Sequence, residues 1–172
     1  MDCQEYMISM IRRQTEGVVY HENMTDYYRF LCLDSLKEIH CHQSMEELET
    51  LQHTKDCYAK IYFSIPRYEM ENTTLIPAEW YNKTSMDVTK GAIKSLSKES
   101  LYHWLDWEKE TLGIYKEAAH HFKENMSFQQ LKIAKKLIKC VSAEICEIEG
   151  LITEGLAYDF SPEFLKYYYK SE

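Results

Sequence analysis

Two apolar helical segments flank one short polar turn, and each carries a glutamate at the same distance from it. The turn is Asn125-Met126-Ser127; Glu108 lies 17 residues before it and Glu144 lies 17 residues after it. If the two segments fold back on each other as helices, Glu108, Glu144 and Glu147 come to one level. Both segments are apolar, with the helical period, on the side that carries these acids. The sequence therefore predicts two antiparallel helices with carboxylates on their shared face.

The start of the chain predicts one long helical segment. Residues 3–42 follow the helical period, and a break or kink is expected near Gly17 or Asn23. A turn is expected at residues 41–43. The apolar repeat of this segment is formed by Met24, Tyr28, Leu31, Ser35 and Ile39, with Tyr27, Cys32 and Leu36 beside them.

A second helix is expected after that turn. Ser44 followed by Glu47 has the spacing of a capping box, in which the two side chains satisfy free backbone N–H groups at a helix start. The helix is expected to reach about residue 64, because Pro66 stops it. Its inward residues are expected to be Leu48, Leu51, Tyr58, Ile61 and Tyr62.

The second half of the chain begins with a long irregular stretch, residues 66–86, which predicts a crossover between two helix pairs. Asp87 is expected to cap a third helix that runs to about Glu124. Ser127 with Gln130 is a second capping box and predicts the start of the fourth helix.

The end of the chain carries two further boundary signals. Gly155 is expected to form the C-cap of the fourth helix. Ser161-Pro162-Glu163 predicts a short last helix, because proline is favoured in the first helical turn.

Composition narrows the class of protein. Five glycines and three prolines are too few for an all-β chain with many turns, so an all-α fold is expected in one domain, residues 1–172. A net charge of -8 argues against nucleic-acid binding. No apolar run is long enough to span a membrane. Six cysteines without a CxxC pair, and no signal peptide at the start, indicate reduced and mostly buried thiols in a cytoplasmic protein.

The mirrored glutamates raise the question of what neutralises them. Buried together as anions they would cost several kcal/mol each without a metal ion, a lysine or a proton. On the first helix Glu22 and Glu16 are the candidate partners, and Glu22 lies off the main apolar face. On the second helix residues 57–61 are expected at the corresponding level, with no Glu-x-x-His motif. The alternative is that Glu108, Glu144 and Glu147 lie at the edge of the apolar face and pair with lysines or water.

Histidines suggest a different metal site. His40 and His42 flank the expected first turn, and Glu38 and Glu46 are close in sequence. Histidine and carboxylate are good zinc ligands, so a zinc site at this turn is one interpretation. Solvated loop histidines are the other.

The segment from Trp104 to Leu151, with Trp107-Glu108, Tyr115 and Glu144-x-x-Glu147, resembles the second half of a ferritin-like four-helix bundle, the superfamily of ferritins and rubrerythrins. With the crossover, the resemblance covers about residues 16–155, followed by a tail from residue 156. It implies an antiparallel bundle with a crossover between helices two and three, and iron or another divalent metal held by Glu108, Glu144, Glu147 and Glu22. Glu147 replaces the usual histidine of this motif.

Two functions are compatible with these features. One is a ferritin-like metal-binding protein with an altered carboxylate site, an oxidoreductase if that site is active. The other is an acidic helical interaction module without a metal or catalytic site. It would form a homo-oligomer or bind a protein partner through Trp80 and Tyr81 in the crossover or Tyr167 and Tyr168 in the tail.

Overall fold

The structure, a computed structural model, consists of α-helices joined by turns and one long connection. It describes residues 1–70, 75–81, 90–161 and 164, without the side chains of Tyr81 and Lys90. The helices are α1 (Cys3–Phe30), α2 (Asp34–Tyr62), α3 (Ala78–Tyr81), α4 (Lys90–Glu124) and α5 (Phe128–Ala157). No strand occurs within those ranges, so the expected all-α fold is confirmed. Of these helices, none is long and apolar enough to cross a membrane.

The first two helices meet earlier than the sequence pattern predicts. α1 ends at Phe30 and α2 begins at Asp34. One helical segment over residues 3–42 and a turn at residues 41–43 are therefore both wrong. Residues 41–43 lie inside α2, and the long apolar repeat belongs to two helices rather than one.

The turn between α1 and α2 cannot be located from the sequence pattern because its residues are apolar. Cys32 adopts a positive φ of 57°, and the N–H of Leu33 donates to the C=O of Tyr28 at 3.0 Å. Leu31 and Leu33 are 2% and 1% exposed, so they fill the core as helical residues would. No glycine or proline marks the turn, and the repeat passes through it without interruption.

α1 is continuous at both positions where a break was expected. A Cβ atom added at Gly17 would lie 3.5 Å from the side chain of Glu47, so this glycine permits close approach of α1 and α2. The Asn23 amide donates to the C=O of Val19 at 2.6 Å, within the helix. Neither residue bends α1.

Ser44 and Glu47 lie inside α2 and do not cap it. Ser44 Oγ donates to the C=O of Val18 on α1 at 3.5 Å. The capping box of this hairpin belongs instead to α1, where Asp2 accepts the N–H of Glu5 at 2.8 Å and Glu5 accepts the N–H of Asp2 at 2.6 Å. Side chains three positions apart also share one face in the interior of a helix. Ser44 and Glu47 therefore have the spacing of a capping box without lying at a helix start.

α2 ends at Tyr62, four residues before Pro66. Leu51 and Tyr58 are buried as expected, at 5% and 1% exposure. The expected inward placement of Leu48 is wrong, because this side chain is 55% exposed.

The connection from α2 to α4 includes α3, which packs against α1. The Trp80 ring stacks on Tyr27 with 4.5 Å between ring centroids, and Ile76 is also buried. The expected cap at Asp87 lies outside the described residues.

The hairpin of α4 and α5 forms where the sequence places it, with α4 ending at Glu124 and α5 beginning at Phe128. Ser127 occupies the N-cap position but makes no side-chain cap bond, so the capping box expected from Ser127 and Gln130 is wrong. Its Oγ instead lies 3.2 Å from Cys3 Sγ at the start of α1. The buried face of α5 contains Leu131, Ala134, Leu137, Val141, Ile145, Ile148, Leu151 and Ile152.

Hydrogen bonds between α1 and α4 fix their relative direction. Residues of increasing number along α1 pair with residues of decreasing number along α4. The pairs are Tyr6 with Glu117 at 2.9 Å, Arg13 with Thr111 at 2.8 Å, Tyr20 with His103 at 3.1 Å and Tyr28 with Ser100 at 2.6 Å. α1 and α4 are therefore antiparallel. Through this pair the two hairpins pack into one core that extends from Met7 to Phe160.

All six cysteines are free thiols. The expectation that most of them are buried is wrong. Four are exposed, and Cys3 and Cys57 are partly buried. The helix surfaces therefore place most thiols in contact with solvent.

After α5 the chain folds back so that Phe160 packs closely against Gly155. Gly155 lies inside α5 and is not its C-cap, which is Tyr158. The C=O of Gly155 accepts the N–H of Phe160 at 2.6 Å, and Phe160 is 2% exposed. Beyond it, the N–H of Phe164 donates to Ser161 Oγ at 3.1 Å, a bond typical of a helix start. The remaining residues of the expected last helix lie outside the described ranges.

Gly155 is required for packing, and its replacement by alanine is expected to destabilise the fold by about 1–3 kcal/mol. The added Cβ would lie 2.5 Å from Cε1 of Phe160, whose ring is held in the core. The matched control is Gly150→Ala, which has open space around the new Cβ. In a helix interior this control is expected to stabilise by up to about 1 kcal/mol. Urea unfolding measures both changes, and equal stabilisation by the two substitutions would contradict this packing role.

Candidate carboxylate site

Three glutamates from three helices lie in or at the edge of the bundle interior. Glu47 comes from α2, Glu108 from α4 and Glu144 from α5. Glu108 is the most deeply buried, at 2% exposure. The pKa of Glu144 is raised from 4.5 to about 9, first because burial disfavours its charged form and then because Glu108 and Glu47 repel that charge. Glu108 therefore contributes to the raised pKa of Glu144, its mirrored counterpart across the turn.

Glu47 completes this carboxylate cluster and was not recognised from the sequence. Burial, followed by repulsion from Glu108, raises the pKa of Glu47 to about 8, while Arg13 acts in the opposite direction. Its Oε2 is shielded from solvent and has no hydrogen-bond partner in the described part of the chain. At the pH of a cell, a large fraction of this carboxyl group is expected to carry a proton.

Glu108 is held by groups from α1 and from its own helix. Trp104 Nε1 donates to Glu108 Oε1 at 3.1 Å, and His21 Nε2 lies 3.6 Å from the same oxygen. Trp104 and His21 are 2% and 1% exposed. Glu108 is thus the one carboxylate of the cluster for which the interior supplies both a donor and a basic side chain.

A second histidine extends this network. His21 Nδ1 and His40 Nδ1 are 2.8 Å apart, and His40 is fully buried. Burial, followed by repulsion from His21, lowers the pKa of His40 well below its usual value, so His40 is neutral. In a neutral pair one Nδ1–H donates to the other Nδ1, and His21 Nε2 then carries a hydrogen toward Glu108 only when the shared proton belongs to His40. His21 therefore connects His40 to Glu108.

The expected zinc site at the first turn does not form as a unit. His40 faces the core from the second turn of α2, whereas His42 is exposed and lies 3.7 Å from Glu46. Residues two apart on a helix do not share a face. Moving the turn to residues 31–33 therefore separates these two histidines.

Arg13 supplies the buried positive charge nearest to the cluster. Its Nε donates to Thr111 Oγ1 at 2.8 Å and its Nη2 to the C=O of Trp107 at 3.0 Å. The guanidinium carbon lies 3.6 Å from the Trp107 ring centroid. The guanidinium also pairs with Glu110 at 3.3 Å and with Glu16 at 3.7 Å. Arg13 therefore divides its charge among several acids, and it only partly opposes the raised pKa of Glu47.

The other acids named from the sequence are not buried with this cluster, and Glu147 adds to the repulsion that raises the pKa of Glu144. Glu147 and Glu22 are exposed. Glu16 pairs with Arg12 at 3.9 Å and with Arg13 at 3.7 Å.

The expected partner-binding residues are only partly described. Trp80 is 6% exposed, because α3 packs its ring against α1. The side chain of Tyr81, and Tyr167 and Tyr168, lie outside the described residues.

The donor set determines which metal chemistry this interior can support. Two metal ions need more ligands than remain here, because Glu147 and Glu22 face solvent. A single hard cation matches the carboxylate oxygens of Glu47, Glu108 and Glu144 in ligand type. Within the described ranges, no three His, Cys, Asp or Glu side chains are arranged to hold an ion. Binding would therefore require these side chains to move toward one another.

No protein-family model matches the chain, and no curated protein matches it. Conclusions about its function therefore depend on the fold and on the chemistry of this interior.

Proposed function

We propose that this protein is a ferritin-like bundle whose interior carboxylates bind one divalent metal ion. The order of the helices supports the fold assignment. α1 is antiparallel to α4, and the short turn at residues 31–33 makes it antiparallel to α2 as well. α2 and α4 then run in the same direction, so the end of α2 and the beginning of α4 lie at opposite ends of the bundle. Ferritin-like bundles have one such crossover.

The observation that carries the metal assignment is the group of Glu47, Glu108 and Glu144, from three helices, with insufficient positive charge around it. Burial and mutual repulsion raise the pKa of two of them to about 8 and about 9. Both groups therefore hold protons that a divalent cation can replace. Carboxylate oxygen is the preferred ligand of hard cations such as Mn²⁺, Mg²⁺ and Ca²⁺, and Fe²⁺ also accepts it.

In this proposal the protein binds one metal ion, and it does not store or oxidise iron at a dinuclear centre. The positions of Glu147 and Glu22 leave one cluster, on α2, α4 and α5, with His21 next to Glu108 on the α1 side. The six free thiols fit a reducing compartment, and we keep a cytoplasmic location as part of this proposal.

Titration of the protein, purified with chelator and then freed of it, with Mn²⁺ tests this proposal. We expect one ion per chain and an affinity that increases from about pH 6 to about pH 9, because binding displaces carboxyl protons. Calorimetry in two buffers of different ionisation enthalpy counts the protons released. Glu144→Gln and Glu47→Gln should each weaken binding by about tenfold or more, since each removes one anionic ligand.

The matched control is Glu154→Gln, which removes an exposed acid from the same helix as Glu144. Its affinity for Mn²⁺ should equal that of the parent protein. Absence of Mn²⁺ binding at millimolar concentration, or equal affinity in Glu144→Gln and Glu154→Gln, would contradict the metal assignment.

A second candidate function, an interaction module, is favoured by apolar side chains at one end of the bundle. Phe63 and Ile65 after α2 are 92% and 84% exposed, and Met126 and Phe128 at the α4–α5 turn are 73% and 72% exposed. A 3.2 Å bond between Gln130 and Tyr62 joins the two segments. Surface groups of this kind commonly mark contact sites. This function would remain if the Mn²⁺ titration failed.

A further inference from the structure

A cleft runs between α2 and α5 and reaches the interior carboxylates. Its outer part has a volume of about 520 Å³ and its inner part about 280 Å³. Gln43, Glu46, Cys140 and Glu144 line both parts, so the two are adjacent. A volume of this size is typical of sites for small organic molecules and far exceeds that of a single ion.

The walls of the cleft are strongly acidic. The acids that line it are Glu38, Glu46, Glu47, Glu49, Glu144 and Glu147. No lysine or arginine occurs among the described lining residues. The one basic side chain there is His42, 3.7 Å from Glu46. Negative charge confined in a cleft attracts cations from solution.

Two buried oxygen atoms in the cleft have no partner. Gln43 Oε1 and Glu47 Oε2 are shielded from solvent and make no hydrogen bond in the described structure. Both residues line the inner part, and Gln43 also lines the outer part. Buried acceptors of this kind are costly unless a donor reaches them, and an incoming N–H group would supply it.

Apolar side chains lie between the acids. Ile39 and Ala143 line the outer part, and Leu137, Val141 and Tyr115 line the inner part. A bare metal ion gains nothing from such surfaces, whereas methylene groups are stabilised by them. Each part of the cleft thus has acidic and apolar side chains on its walls, and a molecule that joins positive charges through methylene groups matches both.

We propose that the cleft between α2 and α5 binds an aliphatic cation with two or more ammonium groups. One ammonium lies at Glu47 and Glu144, and a second lies at Glu46 and Glu147 nearer the mouth. An ammonium group donates up to three hydrogen bonds and can therefore satisfy Glu47 Oε2. The site goes beyond the proposed metal site, and it shares Glu47 and Glu144 with that site, so the two ligands compete.

Isothermal titration with 1,4-diaminobutane and with spermidine tests this inference, at an ionic strength of about 0.15 M to screen non-specific attraction. Both should bind with a stoichiometry of one. Butylamine, which has one ammonium group, and 1,4-butanediol, which has none, should bind at least about tenfold more weakly or not at all. Glu46→Gln and Glu147→Gln should each weaken diamine binding by about three- to tenfold.

Glu154→Gln, an exposed acid on α5 outside the cleft, serves as the control and should bind the diamines as the parent does. Thermal unfolding verifies that every variant is folded. Absence of diamine binding overturns the inference, as does equal binding of butylamine or unchanged affinity in Glu46→Gln and Glu147→Gln. Because Mn²⁺ is titrated separately, Mn²⁺ binding without diamine binding overturns this inference alone, and the reverse result overturns the metal proposal alone.

Discussion

Replacing Glu144 with glutamine is expected to stabilise the metal-free protein by about 2–4 kcal/mol near pH 8. Burial and the charges of Glu108 and Glu47 raise the pKa of Glu144 to about 9 in the folded protein, against an ordinary value of 4.5. Glutamine has nearly the same shape, carries no charge at any pH and keeps a polar group in place. The substitution therefore removes the unfavourable ionisation and leaves the packing unchanged.

The same shift fixes the direction of the pH dependence. Between the ordinary pKa and the raised one, the folded state holds more protons than the unfolded state, so the free energy of unfolding decreases as pH rises. The slope is about 1.4 kcal/mol per pH unit for each such group. Glu47, whose pKa is about 8, adds to the decrease. Glu144→Gln should therefore remove about 1.4 kcal/mol per pH unit of this slope up to about pH 8, and less as pH approaches 9.

Urea unfolding of the chelator-treated protein at intervals from about pH 7 to about pH 9 measures this effect. In this range His40, whose pKa is lowered, is neutral in both the folded and the unfolded state and does not contribute. The exposed acid Glu154 supplies the control, since Glu154→Gln should retain the parent's slope. A parent protein whose stability is constant or increases over this range would contradict the buried position of Glu144.

Replacing Arg13 with alanine is expected to destabilise the protein by about 3–5 kcal/mol. The side chain is 6% exposed, bonds to Thr111 and to the C=O of Trp107, and covers the Trp107 ring. Its removal leaves a cavity and unpaired polar groups at the α1–α4 contact. It also removes the charge that opposes the raised pKa of Glu47, so Glu47 should titrate at a still higher pH.

The adjacent Arg12 is the matched control, because its side chain is 46% exposed and its ion pair with Glu16 spans 3.9 Å. Arg12→Ala should change the free energy of unfolding by no more than about 0.5 kcal/mol. Arg13→Lys keeps the charge without the planar fork and should recover only part of the stability. Similar losses for Arg12→Ala and Arg13→Ala in thermal unfolding would show that the α1–α4 contact does not depend on Arg13.

The second hairpin could be predicted from the sequence because its local signals agree. The apolar repeat of α5 is continuous, and the turn residues 125–127 are polar. Both helices therefore begin and end near their expected positions at this turn, and the equal spacing of Glu108 and Glu144 from the turn brings them to one interior region. In a symmetric helical hairpin, two residues at equal sequence distance from the turn lie at the same level along the bundle.

The first hairpin could not be placed in the same way. Its turn contains Leu31 and Leu33, which are buried, and Cys32, whose positive φ of 57° has no characteristic residue type. The apolar repeat therefore continues through the turn, while Ser44 and Glu47 imitate a helix start within α2. Helix periodicity alone does not separate one bent apolar segment from two packed helices.

That displaced turn is also why half of the candidate site was missed. Because α2 begins at Asp34, the side chains of Glu47 and His40 face the interior. A helix beginning at Ser44 would instead place residues 57–61 at the level of the mirrored glutamates. His21 could not be identified because its role depends on contacts with α2 and α4. Spacing within one helix can be read from the sequence. Which side chains of two helices meet depends on where the turn between the helices lies.

Direct titration of the glutamate side chains tests the central claim, which is that interior carboxylates repel one another and hold protons near neutral pH. In metal-free protein labelled with ¹³C-glutamate, the carboxyl signals of Glu47 and Glu144 are assigned by their absence in Glu47→Gln and Glu144→Gln. These two signals should titrate near pH 8 and near pH 9. Midpoints near the ordinary value of 4.5 for both groups would contradict the account.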